Sequence, residues 1–116
     1  MKSISARSQK QIDRCVRQVG ALVRSPSLSQ YLVGITANER TRRSSYERIG
    51  FQYFFILETG LSREQALMLE SALYDRIRED KTLARKYHAE KHGGHRASTG
   101  GQIHECYCVY VAAFAP

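Results

Sequence analysis

One carboxylate stands inside an apolar stripe. Four apolar residues of the segment 62–80 recur at the spacing of one helical face: Ala66, Leu69, Leu73 and Ile77. At 100° per residue, Glu70 lies only about 40° from Ala66 and about 20° from Ile77 around the helix axis. A carboxylate turned toward a core costs several kcal/mol unless a cation compensates it. Two interpretations are open: a buried ion pair with an arginine, or a metal ligand or catalytic base.

Arg42 and Tyr46 are a second set of candidate functional residues. They lie four residues apart in a segment, 39–48, whose largest side chains are arginines. That spacing puts both side chains on one face of a helix. Gly34, just before the helix, lets another part of the chain approach its backbone closely. The alternative is a solvated helix with arginines on its surface, although such a helix has no need of Tyr46.

The charge of the chain favours a polyanionic partner. Lysine and arginine number 18 against 11 acidic residues, which gives a net charge of +7. One basic cluster lies within nine residues: Arg40, Arg42, Arg43 and Arg48. A second combines Arg85, Lys86, Lys91 and Arg96 with all four histidines: His88, His92, His95 and His104. Nucleic acid is the first partner to expect, and basicity for solubility alone is the alternative.

Composition excludes several classes of protein. The chain has 116 residues, 42% of them hydrophobic, which suits a single globular domain. No apolar stretch approaches the roughly 20 residues that cross a bilayer, and the N-terminus lacks the apolar core of a secretory signal. Three cysteines without framework spacing indicate reduced thiols. We therefore expect a cytoplasmic protein with no membrane partner.

The pattern of apolar residues predicts alternating helices and strands. Helix 8–24 is followed by strand 30–36, and a capping box at Thr36–Glu39 opens a helix that ends near Arg48. The aromatic run 51–59 predicts a well-buried strand, and a capping box at Ser62–Gln65 opens the helix 62–80. A Gly- and His-rich loop, 88–104, leads to the strand 105–114. These elements predict an α+β fold.

At these residues the chain resembles the GIY-YIG nuclease superfamily. The stretch LVGITANERTRRSSY (32–46) resembles the second strand and first helix of that family, with Gly34, Arg42 and Tyr46 at the glycine, arginine and His/Tyr positions. The stretch EQALMLESAL (64–73) resembles its metal-binding helix, with Glu70 at the glutamate position. The stretch RKYH (85–88) resembles its closing motif, with His88 where an asparagine is usual.

The resemblance departs from the family pattern at two places. Leu32 replaces the tyrosine of the second strand, and Tyr31 should point to the opposite face of the sheet. The usual first strand is missing upstream, whereas CVY at 108–110 resembles a variant of it. The resemblance therefore implies a circular permutation: a small three-stranded antiparallel sheet flanked by helices, with 105–114 beside 30–36 and Tyr110 near Arg42. An ordinary strand with a core tyrosine is the alternative.

The resemblance implies a metal-dependent DNA endonuclease or nickase. Glu70 would hold one Mg²⁺ or Mn²⁺, Arg42 would contact the scissile phosphate, and Tyr110 would help to deprotonate the attacking water. Tyr46 would orient the water or the phosphate. Further nucleic-acid contacts would come from both basic clusters: Arg40, Arg43, His88, Lys91 and Arg96. The alternative function is a catalytically inactive nuclease-like module that binds nucleic acid or protein.

Two further expectations concern organisation and metal. We divide the chain into an N-terminal helix and linker, 1–29, and a nuclease-like domain, 30–116, within one compact unit. The helix could mediate a homodimer or bind a partner protein, or it could pack over the sheet. A zinc site formed by histidines of the loop with Cys106 or Cys108 is a less favoured alternative to a phosphate-contacting loop.

Overall fold

The computed structural model describes residues 5–87 and 106–115, which contain four helices and three strands. In chain order the described elements are α1 (Ala6–Val23), β1 (Gln30–Thr36), α2 (Glu39–Arg48), β2 (Tyr53–Leu61), α3 (Arg63–Glu79), α4 (Lys81–Ala84) and β3 (Tyr107–Phe114). The predicted α+β class with a small three-stranded antiparallel sheet is confirmed. The four-residue helix α4 was not predicted.

Strand β3 lies at the centre of the sheet. The strand order is β1-β3-β2, and both pairings are antiparallel. The pairing of β1 with β3 runs without interruption from Gln30 opposite Phe114 to Thr36 opposite Cys108. The expected position of the C-terminal strand beside the first strand is therefore confirmed. Residues 107–113 are buried, as the apolar run of this segment requires.

The two faces of the sheet carry different helices. On one face, side chains of α1 and α3 pack with Tyr31, Val33 and Ile35 of β1 in a single core. On the other face, Tyr46 of α2 packs with a second cluster that includes Leu32 and Tyr110. Tyr31 and Leu32 thus point to opposite faces, as expected from the alternation of side chains along a strand.

Helix α1 is part of the main core. Its apolar stripe is buried against α3 and the sheet: Ile12, Cys15, Val19 and Val23. The Asp13 carboxylate accepts a hydrogen bond from Arg76 of α3 at 2.9 Å. The stripe that suggested a dimer or a partner protein is therefore covered within the chain itself. No helix in the described part of the chain is long and apolar enough to cross a membrane.

One of the two predicted helix caps differs from the structure. Helix α2 is capped by Asn38, whose side chain accepts from the Thr41 N–H, and not by Thr36. Both residue types can cap a helix, and the Thr36 hydroxyl instead accepts from the Asn38 N–H at 3.0 Å just after the end of β1. The capping box at Ser62 is confirmed.

Strand β2 is not well buried. It begins at Tyr53 and is an edge strand, so its side chains alternate between core and solvent. Tyr53 is 47% exposed and Phe55 is 40% exposed. An aromatic run does not reveal whether a strand has neighbours on both sides, and the prediction of a buried strand is wrong for this reason.

Candidate active site

Tyr110 lies across the backbone of β1 at Gly34. The two residues face each other in the register of β1 and β3. A β-carbon built on Gly34 would stand 2.5 Å from the Tyr110 hydroxyl oxygen and 2.7 Å from the ring carbon that bears it. Only glycine leaves space for the phenol at this position. Gly34 therefore directs the Tyr110 hydroxyl over the edge strand β1.

Helix α2 brings Tyr46 to the same place. The Tyr46 and Tyr110 hydroxyl oxygens are 3.1 Å apart, and the rings meet edge to face with centroids at 5.7 Å. Tyr46 is further held between Phe51 and Phe54, whose ring centroids lie 5.3 and 6.2 Å away. The aromatic packing fixes α2 on the sheet although the helix has few other apolar residues.

Arg42 stands one turn before Tyr46 and is half-buried. Its guanidinium is in hydrogen-bonding reach of the Tyr46 hydroxyl, and its charge also acts on the buried Tyr110. The predicted pairing of Arg42 and Tyr46 on one helical face thus brings a cation to the two phenols. Such a planar cation is suited to two oxygens of a phosphate.

Glu70 approaches from the opposite helix layer. It lies between buried Leu69 and Leu73 on α3 and is itself half-buried. Desolvation by this burial raises the pKa of the Glu70 carboxyl to about 7. Its negative charge acts on Tyr46 and Tyr110 across the edge of the sheet. The predicted anomaly is confirmed: this helical face carries a carboxylate that burial makes costly to ionise.

The interpretation of Glu70 as half of a buried ion pair has no support within residues 5–87 and 106–115. The ion pairs found there join Arg14 to Glu58, Arg43 to Glu39, Arg76 to Asp13 and Arg78 to Asp75. An ionised carboxylate in this position would gain from a cation supplied by a ligand.

Tyr87 is a member of the site that sequence reasoning missed. Tyr87 lies in the segment that follows α4. The Tyr31 N–H donates to the carbonyl of the preceding residue, Lys86, at 3.0 Å, and this hydrogen bond joins the segment to the outer edge of β1. The Tyr87 hydroxyl hydrogen-bonds the Val33 backbone and lies in the field of Glu70. The RKYH stretch predicted His88 as the site residue. The sequence indicated Tyr87 only through its position one residue before His88.

Burial keeps the phenols of the site protonated. Desolvation raises the pKa values of Tyr46, Tyr87 and Tyr110 above the usual range for tyrosine. Arg42 opposes this at Tyr46 and Tyr110, but burial has the larger effect. We expected a nearby cation to lower the pKa of Tyr110 so that it could act as a base. Its pKa is instead raised, and near pH 7 the hydroxyl is a hydrogen-bond donor.

The donor set fits one hard divalent cation better than zinc. Glu70 offers one half-buried carboxylate whose charge acts on the three phenols, and Mg²⁺ and Mn²⁺ prefer oxygen ligands and keep several waters. No group of three or more His, Cys, Asp or Glu residues that could hold a metal occurs in the described ranges. Cys108 is buried, and burial raises the pKa of its thiol to about 11, which disfavours the thiolate that zinc needs.

The remaining predicted residues fall into two groups. Arg40 and Arg43 are exposed on α2, and Arg43 pairs with Glu39 while its guanidinium lies 4.9 Å from the Phe54 ring centre. His88, Lys91 and Arg96, together with the histidines of the alternative zinc site, lie outside the described residues. The structure brings Arg42, Tyr46 and Tyr110 together, and the charge of Glu70 acts on Tyr46, Tyr87 and Tyr110.

Replacing Gly34 with alanine is expected to destabilise the fold by about 1–3 kcal/mol, because the new methyl group must displace a buried ring. Urea unfolding provides the measurement. Gly20→Ala is the matched control: its β-carbon would meet only Leu83 at 4.0 Å, and helix propensity favours alanine by about 1 kcal/mol. Equal effects of the two substitutions would contradict the close packing of Tyr110 on Gly34.

Comparison with known proteins returned no relative. No protein-family model matches the chain, nor does any curated protein or solved structure.

Proposed function

We propose that this chain is a metal-dependent endonuclease or nickase of the GIY-YIG type that hydrolyses phosphodiester bonds in DNA. Tyr110 crosses Gly34 and meets Tyr46 and Arg42 there, while Glu70, in the helix layer of the other face of the sheet, acts on both phenols through its charge; this arrangement carries the proposal. All four were selected from the sequence, and none is adjacent to another in the chain. A structural core has no need to bring an arginine and a half-buried carboxylate to the same pair of phenols.

Each residue has a role that its chemistry supports. Arg42 would bind two oxygens of the scissile phosphate and offset the charge that develops there. The Tyr46 and Tyr110 hydroxyls, 3.1 Å apart, would orient the phosphate or the attacking water by donating hydrogen bonds. Glu70 would hold Mg²⁺ or Mn²⁺, which stabilises developing negative charge on the phosphate when bound.

The elevated pKa of Glu70 has a consequence for metal binding. At pH 7 a proton and a divalent cation compete for the carboxylate, because its pKa is about 7 without metal. Affinity for Mg²⁺ should therefore rise as the pH increases through 7. Such competition matches a loose site with one carboxylate, in which water completes the coordination of the ion.

A nuclease-like module that binds without cutting is the second candidate. Leu32 is 1% exposed and provides no hydroxyl at the position where the family carries a tyrosine. The raised pKa of Tyr110 also leaves the site without a phenolate near pH 7. Both observations favour binding over catalysis, whereas the half-buried Glu70 favours catalysis.

Incubation of the purified chain with supercoiled plasmid tests the two functions. With Mg²⁺ or Mn²⁺, we expect open-circular DNA that does not form in EDTA. Glu70→Ala should lose this activity, and Glu64→Ala, which removes an exposed carboxylate from the same helix, should keep it. A gel shift with no nicking in either metal would reject the nuclease in favour of the binding module.

A further inference from the structure

A polar cavity of about 660 Å³ opens between the first half of α1, the end of β2 and the start of α3. Its size falls within the range of about 300–1,000 Å³ that is typical of ligand sites. Leu61 is the one large apolar side chain among the described residues that line it, and no aromatic ring is among them. We call this feature the basic cavity.

Helix α1 supplies three cations to the basic cavity. Arg7, Lys10 and Arg14 all line it. Their spacing of three and four residues places them on one face of the helix, at successive turns. From Arg7 to Arg14 the helix advances about 10 Å, which matches the length of about three phosphates along one strand of DNA.

The charge of the cavity is not balanced within the described lining. Glu58 is the one carboxylate there, and it pairs with Arg14. Arg7 and Lys10 are exposed, and the ion pairs found between described residues do not include them. Three cations against one carboxylate leave a surplus of two positive charges. The cavity therefore has the electrostatics of an anion site.

The position of Arg7 works against the stability of its own helix. Ser5 caps α1, so Arg7 lies in the first turn, and that turn has no acidic residue. The N-terminal end of a helix carries partial positive charge, which favours carboxylates and disfavours cations. Residues that oppose local stability are expected at functional sites. An anion bound in the cavity would offset the repulsion.

Strand β2 departs from a regular ladder where it lines the cavity. Its pairing with β3 shifts register between Ile56 and Glu58, and again between Glu58 and Leu61. Gly60 accommodates the second irregularity with a φ of +71°. Such bulges redirect side chains and are frequent beside functional sites.

The basic cavity adjoins a smaller one that leads toward α2. Thr59 lines the basic cavity and also a cavity of about 140 Å³, which reaches Thr36 and Glu39. Glu39 is the first residue of α2, and Arg42 follows one turn later on the same helix. A chain of phosphates that occupies the basic cavity can therefore continue toward the helix that carries Arg42.

We infer that the basic cavity binds phosphate groups, with Arg7 and Lys10 as the cations that contact them. Arginine and lysine are the usual protein partners of phosphate oxygens, and the absence of an aromatic ring from the described lining leaves bases nothing to stack on. Phosphates of this kind occur in a nucleic-acid backbone and in free oligophosphates. For the backbone, the inference rests on the proposed function and names a second contact with its DNA substrate.

Fluorescence anisotropy of a labelled duplex of about 20 base pairs tests the backbone as the source, with the full chain in EDTA so that binding is separated from cleavage. Arg7→Gln with Lys10→Gln should weaken binding about tenfold or more and lower the slope of log affinity against log salt by about 1.8, because two phosphate contacts are lost. Arg17→Gln with Arg24→Gln is the matched control. It removes the same charge from exposed positions of α1 outside the cavity and should have a much smaller effect.

Calorimetric titration with tripolyphosphate tests the free source. Binding of tripolyphosphate that Arg7→Gln with Lys10→Gln abolishes, together with unchanged DNA affinity, would support a free oligophosphate as the ligand. Weaker DNA binding in this variant, with no binding of tripolyphosphate to the unchanged chain, would support the backbone. If neither binding event depends on Arg7 and Lys10 more than on the control pair, the inference is overturned.

Glu58→Gln should strengthen phosphate binding about threefold or more, because it removes the carboxylate of the lining and releases Arg14 from its ion pair. A variant that has lost its fold cannot produce such a gain. Glu79→Gln makes the same change of charge at the far end of α3. Equal gains in the two variants would overturn the inference, since affinity would then follow net charge alone.

Failure of the proposed function would look different. A chain that never nicks plasmid, but whose phosphate binding depends on Arg7 and Lys10, would lack the nuclease activity and keep the phosphate site. A chain that nicks plasmid, but binds DNA and tripolyphosphate equally well with and without these two cations, would keep the nuclease activity and lack the phosphate site.

Discussion

Glu70→Gln is expected to abolish cleavage and, at the same time, to stabilise the folded chain above neutral pH. The amide keeps the size of the side chain but cannot carry the charge that a divalent cation needs as a ligand. We expect nicking of supercoiled plasmid to fall by about a thousandfold or more, comparable to the loss of a main electrostatic contribution to the transition state. Time courses at saturating Mg²⁺ provide the measurement.

The stability effect of Glu70→Gln should depend on pH. Burial raises the pKa of the folded carboxyl from its ordinary 4.5 to about 7, so the folded chain binds the proton more tightly than the unfolded chain does. The resulting stabilisation is fully present below about pH 4.5 and is lost as the pH rises through about 7. At pH 8 the unchanged chain should therefore be less stable than the variant by about 2 kcal/mol, allowing for the partial exposure of Glu70.

Glu79→Gln is the matched control for this pH dependence. Glu79 is the last residue of α3 and is exposed, so the same change of charge occurs on the same helix without relief of desolvation. Urea unfolding at pH 5 and pH 8 should show a gain that grows with pH for Glu70→Gln and little change for Glu79→Gln. A Glu70 variant that cuts DNA as well as the unchanged chain would exclude this carboxylate as the metal ligand.

Arg42→Ala should lower the rate of cleavage at saturating DNA by about a hundredfold or more, with a much smaller change in DNA affinity. An arginine that acts on the charge of the transition state affects turnover, because its interaction strengthens as the reaction proceeds. Arg42→Lys should recover only part of the rate, since an ammonium group cannot hold two phosphate oxygens in one plane. Single-turnover cleavage and equilibrium binding in EDTA separate the two effects.

Arg40→Ala provides the comparison for Arg42. Arg40 lies on the same helix and is exposed, whereas Arg42 is half-buried beside Tyr46. Its loss should weaken DNA binding modestly and leave the rate at saturation unchanged. If Arg42→Ala instead weakens binding without slowing cleavage at saturation, Arg42 only anchors the DNA.

Periodicity predicted the parts of the site that depend on local pattern. The position of Glu70 follows from the 3.6-residue repeat of α3, and the pairing of Arg42 with Tyr46 follows from their spacing on α2. The expectation that the C-terminal strand lies antiparallel beside β1 came from a resemblance, and the register of β1 and β3 bears it out.

Features set by tertiary packing could not be predicted from the sequence. Whether β2 lies at an edge depends on which strand pairs with it, and the aromatic residues of 51–59 are compatible with either position. Tyr87 enters the site because Lys86 pairs with the edge of β1, an interaction with no periodic signal. The pKa of Tyr110 depends on its complete burial in the sheet, which outweighs the charge of Arg42.

The central position of β3 also determines when the sheet can form. Strands β1 and β2 do not pair with each other. Both pair with β3, which is synthesised after every other described element. The contact between Gly34 and Tyr110 closes a loop of more than 70 residues, and such distant contacts slow folding. During translation the helices can form early, but the exposed edges of β1 and β2 have no partner until residues 107–114 leave the ribosome. A nascent chain that stalls before this point should therefore be protease-sensitive and lack the site entirely.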